Sequence, residues 1–392
     1  MSLFTKCVEF TTARDVKASG LYPYFHLLES RQDTTVIMEG KRRIMLGSNN
    51  YLGLTVHPEV IAASVEATER YGTGCSGSRF LNGTLDLHIA LEQELAKFMR
   101  AESAITFSTG FQSNLAIISA LVDRHDTILC DRENHASIYD GCRLSFGKTL
   151  RYRHSDMADL ERQLKELPYD AGKLIITDGV FSMSGEIAKL PDIVTLAKKY
   201  NAAVMVDDAH GFGVIGEGGR GTASFFRLEN EVDITMSTFS KSLASLGGFM
   251  VAKEYIVDYV RHTSRPFIFS ASIPPSAAAS ALAALKIIER EPERVARLKT
   301  LACYLRNGLT ERGIALKDNG GADTPIVPFY TYEVEKTLIK AKELFEAGVY
   351  VNPVLPPAAP AGECLLRSSL MATHTETLLD EAMDIIQKVM KQ

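Results

Sequence analysis

Through the middle of the chain, short apolar runs of strand length alternate with segments whose apolar residues recur at helical spacing. Ser103–Ser108 reads as a strand, followed by a glycine turn and the helical Ser113–Leu121. Thr127–Cys130 is a short strand leading into a polar loop. Lys173–Asp178 (KLIITD) and Ala202–Asp207 (AAVMVD) are strands rich in Ile and Val, and Leu190–Tyr200 between them has helical spacing. Val232–Ser237 and Gly247–Ala252 extend the series. This alternation predicts an α/β fold, a mostly parallel sheet with helices on both faces. Functional groups in such sheets gather beyond the carboxyl ends of the strands.

The pattern changes near Ser272. Pro274–Arg290 is Ala-rich and helical, and Pro292–Arg312 continues in that character. Pro325–Thr331, Tyr350–Val354 and Leu365–Leu370 read as short strands, and Glu376–Lys391 as a last amphipathic helix. The expected division is an N-terminal arm (1–50) with a hairpin around Glu39–Gly40, a large α/β domain (51–272) and a smaller C-terminal α+β domain (273–392). A chain of 392 residues is long enough for this.

Composition narrows the class. Hydrophobic residues make up 46% and charged ones 23%, ordinary for a globular protein. A net charge of −5 without a long basic run argues against nucleic acid as partner. Apolar stretches such as Ala277–Ile288 are interrupted by Ser and Lys and are too short to span a bilayer. Met1–Arg14 lacks the pattern of a secretory signal. The six cysteines are scattered without a Cys-x-x-Cys pair, so neither a metal site nor a disulfide frame is expected. A cytoplasmic location fits, with a peripheral place at the inner membrane left open.

The chemistry-bearing segments follow the strands. Lys241 lies in Thr238-Phe239-Ser240-Lys241-Ser242, just past a strand. A lysine there must be satisfied or neutralised, and an imine with an aldehyde cofactor does so while creating a catalyst. The bland alternative is a solvated lysine at a helix start. Val206-Asp207-Asp208-Ala209-His210 closes another strand. Asp207 there suits the protonated nitrogen of a pyridine ring, and His210 suits the ring's phenolic oxygen; the alternative is a capping Asp pair with an incidental histidine. Ser108–Asn114 is a strand–glycine–helix turn of the kind that holds anions, a weak signal alone. His135, after another short strand, could stack on a flat ring, although a lone histidine is more often structural. Ser182 follows the Thr177-Asp178 strand end, and Asn49 lies in a polar turn. Arg367 sits inside an apolar strand, which suits a carboxylate ligand or an internal ion pair.

Together the segments SNNYLG (48–53), GTGCSGSRFLNGT (72–84), STGFQSN (108–114), NHASIYDG (134–141), TDGVFSMSG (177–185), VDDAHGFGVIG (206–216) and TFSKSLASLGG (238–248) resemble the α-oxoamine synthase family of fold-type I pyridoxal 5′-phosphate (PLP) enzymes. The likeness runs from about Gly20 to Lys391. Two positions depart from it: Ser237, where the family usually has glycine, and Phe212, where many members carry Thr, Ser or Leu.

The resemblance implies that Lys241 holds PLP covalently, Asp207 pairs with the ring nitrogen, and His210 and Ser182 serve the ring oxygen. It implies that His135 stacks on the ring and touches the substrate carboxylate, and that Thr109, Gly110, Phe111, Thr238 and Ser240 surround the phosphate. Asn49 and Arg367 would receive the amino acid's carboxylate. A homodimer with shared active sites is implied, Ser270 and Ala271 reaching across. Segments 22–37, 77–88, 238–249 and 365–375 resemble the members that condense L-serine with a long-chain acyl-CoA such as palmitoyl-CoA, losing CO2. Members using glycine or alanine with another acyl-CoA stay open. An inactive partner subunit is disfavoured by the presence of Lys241, Asp207 and His210.

Overall fold

The structure is a computed structural model and describes residues 2–392. Strands β1 (Thr35–Met38) and β2 (Lys41–Met45) form an antiparallel hairpin. Its turn residues Glu39 and Gly40 have φ of 49° and 71°, the left-handed pair that matches strand twist in a two-residue loop.

The central sheet has seven strands: β3 (Ser103–Phe107), β4 (Thr127–Asp131), β5 (Lys148–Tyr152), β6 (Lys173–Asp178), β7 (Ala203–Asp207), β8 (Ile234–Thr238) and β9 (Gly248–Ala252), ordered β3-β9-β8-β7-β6-β4-β5. It is mostly parallel, as the alternation predicts. The exception is β9, antiparallel to both β3 and β8. The link from β8 to β9, residues 239–247, is too short for the crossover of a dozen or more residues that a parallel return needs. Alternate strand residues feed two cores: Ile128, Ile176, Met205 and Met236 on one face, Leu129, Ile175, Val204 and Val206 on the other. Burial on both faces explains why these strands read as unbroken apolar runs. The edge strand β5 (KTLRY) is mostly polar and partly exposed, so it stands outside that pattern.

Boundaries moved in places. The helix expected at Ser113 starts at Gly110, because Thr109 Oγ1 accepts the Gln112 N–H at 3.0 Å and caps it. The strand expected from Val232 starts at Ile234, since Asp233 turns its carboxylate to the Val204 N–H at 2.8 Å.

After helices Pro275–Arg290 and Glu293–Glu311 come β10 (Ile326–Tyr332), β11 (Val349–Tyr350), β12 (Asn352–Val354) and β13 (Cys364–Ser369). Strands β10, β13 and β12 form one antiparallel sheet, whereas β11 pairs parallel with β2. The run Tyr350–Val354, expected as one strand, is therefore split between two sheets. Pro353 has no N–H, which confines β12 to an edge. Helix Glu376–Lys391 closes the fold. Among the described residues no helix is long and apolar enough to cross a membrane.

Candidate active site

The carboxyl ends of β3, β4, β6, β7 and β8 open on one edge of the sheet, and most of the expected residues meet there. At the end of β3 the helix Gly110–Leu121 points its first turn at the loop after β8. A Cβ on Gly110 would lie 2.7 Å from Thr238 Cβ and Oγ1, so only glycine permits this approach. Thr238 Oγ1 contacts Ser240 Oγ at 2.9 Å. Helix-start N–H groups and hydroxyls are thus brought side by side, a set of donors suited to an anion.

Asp207 ends β7 and is buried. Its Oδ2 accepts Asn114 Nδ2–H at 2.7 Å and its Oδ1 the Ala209 N–H at 3.1 Å. Asn114 Nδ2 also donates to Ser137 Oγ at 2.8 Å, and Ser137 Oγ lies 2.7 Å from His135 Nδ1. Since Ser137 accepts from the amide, its own hydrogen goes to His135 Nδ1, leaving the ring proton on Nε2. Burial pushes the His135 pKa down, with Asp207 opposing, so the ring is neutral. Asp178, at the end of β6, takes the His135 N–H on Oδ1 at 3.3 Å. Its pKa is pushed well up by burial and then by Asp207.

Lys241 stands past β8 among these charges. Burial lowers its pKa to about 8, with Asp207 and Asp178 pulling it back up and Arg367 lowering it further. The ammonium is thus far closer to losing its proton at neutral pH than an ordinary lysine.

Arg367, in the middle of β13, is also buried. Its Nε donates to Ser182 O at 2.6 Å, and one terminal nitrogen donates to Asn49 Oδ1 at 3.1 Å and Tyr51 Oη at 3.2 Å. No carboxylate of the chain engages it among the described residues, so the internal ion pair left open by the sequence does not form. Ser182 meets Arg367 through its carbonyl. Tyr51 Oη lies 2.7 Å from His210 Nδ1 and 3.3 Å from Asn49 Oδ1. Arginine can only donate, so Tyr51 accepts from it and passes its own hydrogen to the nearer acceptor, His210 Nδ1. With the Tyr51 hydrogen on this shorter contact, the ring proton is on Nε2. Burial, then Lys241 and Arg367, hold the His210 pKa well below its ordinary value.

Ser270 and Ala271 sit beside the anion turn of their own chain, where Ala271 O accepts Ser108 Oγ–H at 2.5 Å. Ser237 points its hydroxyl to Asp208 O at 3.2 Å, a brace that glycine would lack. Sequence reading gave no role to Tyr51, Asn114, Ser137 or Asp178. Each lies inside a quoted motif, and a polar Asn114 within an apolar helix was the available signal.

The model of the family described as aminotransferase class I and II matches residues 41–386. The chain belongs to this family. Within the aminotransferase class I and II family, the chain is 51% identical to serine palmitoyltransferase of Sphingobacterium spiritivorum, over 98% of this chain and 95% of that protein. It is 44% identical to 8-amino-7-oxononanoate synthase of Geobacter sulfurreducens, over 97% of both. Among solved structures it is similar to SPT with a PLP internal aldimine, at a TM-score of 0.97 and 38% identity, covering 100% of this chain and 99% of that one. The fold is fold type I of the PLP-dependent enzymes, as the motifs imply.

Proposed function

We propose that this protein is a PLP-dependent acyltransferase of the serine palmitoyltransferase type, joining L-serine to a long-chain acyl-CoA with loss of CO2. The observation that carries the reading is the meeting of Lys241, Asp207 and Arg367 at one sheet edge, where Asp207 and Arg367 both act on the Lys241 charge. Full-length similarity to serine palmitoyltransferases supports it.

The residues fit PLP. The glycine-only approach of Gly110 to Thr238 sets the helix start (Thr109, Gly110, Phe111) side by side with the Thr238 and Ser240 hydroxyls, so a phosphate bound beside this contact would meet both sets of donors. Asp207, buried and anchored by Asn114, supplies the anion a pyridinium nitrogen requires. His135 and His210, each with its proton on Nε2, would flank the ring face and the ring oxygen. When bound, PLP supplies an aldehyde for the substrate's amino group and a ring that stores the electron pair left on the α-carbon.

The protein's own part is orientation and proton handling. Arg367 and Asn49 receive the amino acid's carboxylate, and holding that group sets which bond lies in position to break. Lys241, its pKa lowered to about 8, takes the α-proton on Nζ. For this purpose we divide the chain into an arm (1–50), a cofactor-carrying domain (51–272) and a C-terminal domain (273–392) that brings Arg367. A homodimer with shared sites is part of the proposal, with Ser270 and Ala271 reaching the partner. Exposed Phe80, Leu81 and Phe269, near the Ser78–Ala271 bridge, support an interface there. A cytoplasmic enzyme that meets its acyl donor at the inner-membrane surface fits this reading, and the exposed Leu3, Phe4, Val8 and Phe10 support such contact.

The test is CoA release with L-serine, glycine or alanine against palmitoyl-, octanoyl-, pimeloyl- and acetyl-CoA. Serine with palmitoyl-CoA should give the highest kcat/KM. Preference should climb with chain length, since each buried CH2 contributes up to about 0.8 kcal/mol. If glycine with acetyl-CoA or alanine with pimeloyl-CoA is faster, the substrate assignment falls.

A further inference from the structure

An ion cluster that the proposed reaction does not use lies between the loops carrying His135 and Ser182. At its centre is His154, just past β5. Its Nδ1 is 2.9 Å from Asp131 Oδ1 and its Nε2 is 3.2 Å from Glu186 Oε2. Ionised carboxylates only accept, so both ring nitrogens carry hydrogen and the ring is an imidazolium. Burial opposes that charge, but the bonds to Asp131 and Glu186 outweigh it and raise the pKa to about 10. The other charges facing the ring's surroundings are Glu133, 3.6 Å from Nε2, and Lys189, whose Nζ donates to Ser155 O at 2.9 Å.

Ser155 doubles the link. Its N–H goes to Asp131 Oδ2 at 3.0 Å and its hydroxyl to Glu186 Oε1 at 2.6 Å. It does so at φ 51°, a left-handed conformation costly for a non-glycine residue.

Each end of the clamp leads to the active site. Asp131 Oδ1 also takes the Glu133 N–H at 2.9 Å, shaping the turn into His135. Asn134 ties that turn to β6 itself, through Ile176 O and the Asp178 N–H. The clamp reaches further, to the loop beyond β6. There Glu186 O takes the Phe181 N–H at 2.9 Å and Phe181 O the Gly185 N–H at 2.8 Å, closing the loop that offers Ser182 O to Arg367. The Phe181 ring packs edge-on against His154 with centroids 4.4 Å apart.

We propose that His154 is a positioning residue that locks the 131–135 turn to the 181–186 loop, thereby setting the spacing of His135 and Arg367 across the amino-acid site. The inference rests on the reading that Arg367 receives the substrate carboxylate.

The experiment compares the PLP-loaded wild type with His154→Gln, whose side chain has a neutral amide in place of the imidazolium. Serine affinity is read from the cofactor's absorbance change on titration, and loop order from hydrogen exchange at the Phe181 and Gly185 amides. Serine Kd should rise about tenfold, the usual size for loss of an orienting partner. The KM for acyl-CoA should stay within about twofold, because that interaction is untouched. Exchange at the two amides should quicken. If His154→Gln does not fold, Glu186→Gln, which keeps an acceptor without the charge, should shift serine Kd in the same direction. A serine Kd unchanged in either folded variant overturns the proposal. If the wild type itself gives no response to serine, the substrate reading fails, and the exchange measurement alone then judges the clamp: unchanged protection at Phe181 and Gly185 overturns it.

Discussion

Tyr51→Phe probes the hydrogen-bond chain from Arg367 through Tyr51 to His210. Tyr51 is fully buried, so phenylalanine fills the same space and opens no cavity. What is lost is one oxygen that accepts from Arg367 at 3.2 Å and donates to His210 Nδ1 at 2.7 Å. The buried Nδ1 is then left without a donor, which costs about 1–3 kcal/mol. The ring regains the freedom to carry its proton on either nitrogen, so the Nε2–H that faces the proposed cofactor oxygen is no longer enforced. Loss of the Nε2–H bond to that charged oxygen is worth about 1.5–3 kcal/mol, and at about 1.4 kcal/mol per tenfold step the expected fall in kcat/KM is roughly 10- to 150-fold. The assay is CoA release at saturating PLP, with cofactor content checked by absorbance and folding by thermal melt. A variant with full PLP content and kcat/KM within about twofold of wild type would refute the chain, since a difference that small is under 0.5 kcal/mol.

Other consequences follow from the same site. Asp207→Asn should keep the fold, since it preserves the shape and one oxygen that still accepts from Asn114 or from Ala209, yet lower turnover by several powers of ten because a neutral amide cannot hold the ring proton; turnover close to wild type removes Asp207 from that role. Lys241→Ala should lose the visible absorbance of the covalently held cofactor and nearly all turnover, and a fully active variant would end its assignment. In cofactor-free protein, the rate at which Lys241 reacts with an amine reagent should rise with pH through about 8, because only the deprotonated amine reacts and burial lowers its pKa. A midpoint near the ordinary lysine value of about 10.4 would show that the amine is hydrated.

Local information settled much of this protein. The apolar runs of β4, β6 and β7 and the helices between them are legible because a strand buried on both faces must be apolar throughout. Motifs at or just past the ends of β4, β7 and β8 named His135, Asp207, His210 and Lys241, because chemistry at strand ends requires particular residue types within a few positions of each other, and Arg367 stood out as a charge inside the apolar run of β13. The direction of β9 is a different matter: an apolar run carries no sign, and the short 239–247 link decides it only once β8 is in place. Likewise Tyr350–Val354 looks like one strand until β2 and β13 compete for its two halves.

The relays were out of reach of any local pattern. Tyr51 meets His210 across 159 positions and Arg367 across 316, and Asn114 meets Asp207 across 93. His154, by sequence an ordinary residue after an edge strand, becomes the junction of two loops through Asp131 and Glu186. Sequence determines which side chains are available. Which hydroxyl orients which imidazole is decided by packing alone, because a hydrogen bond depends on about 3 Å of space and not on separation along the chain.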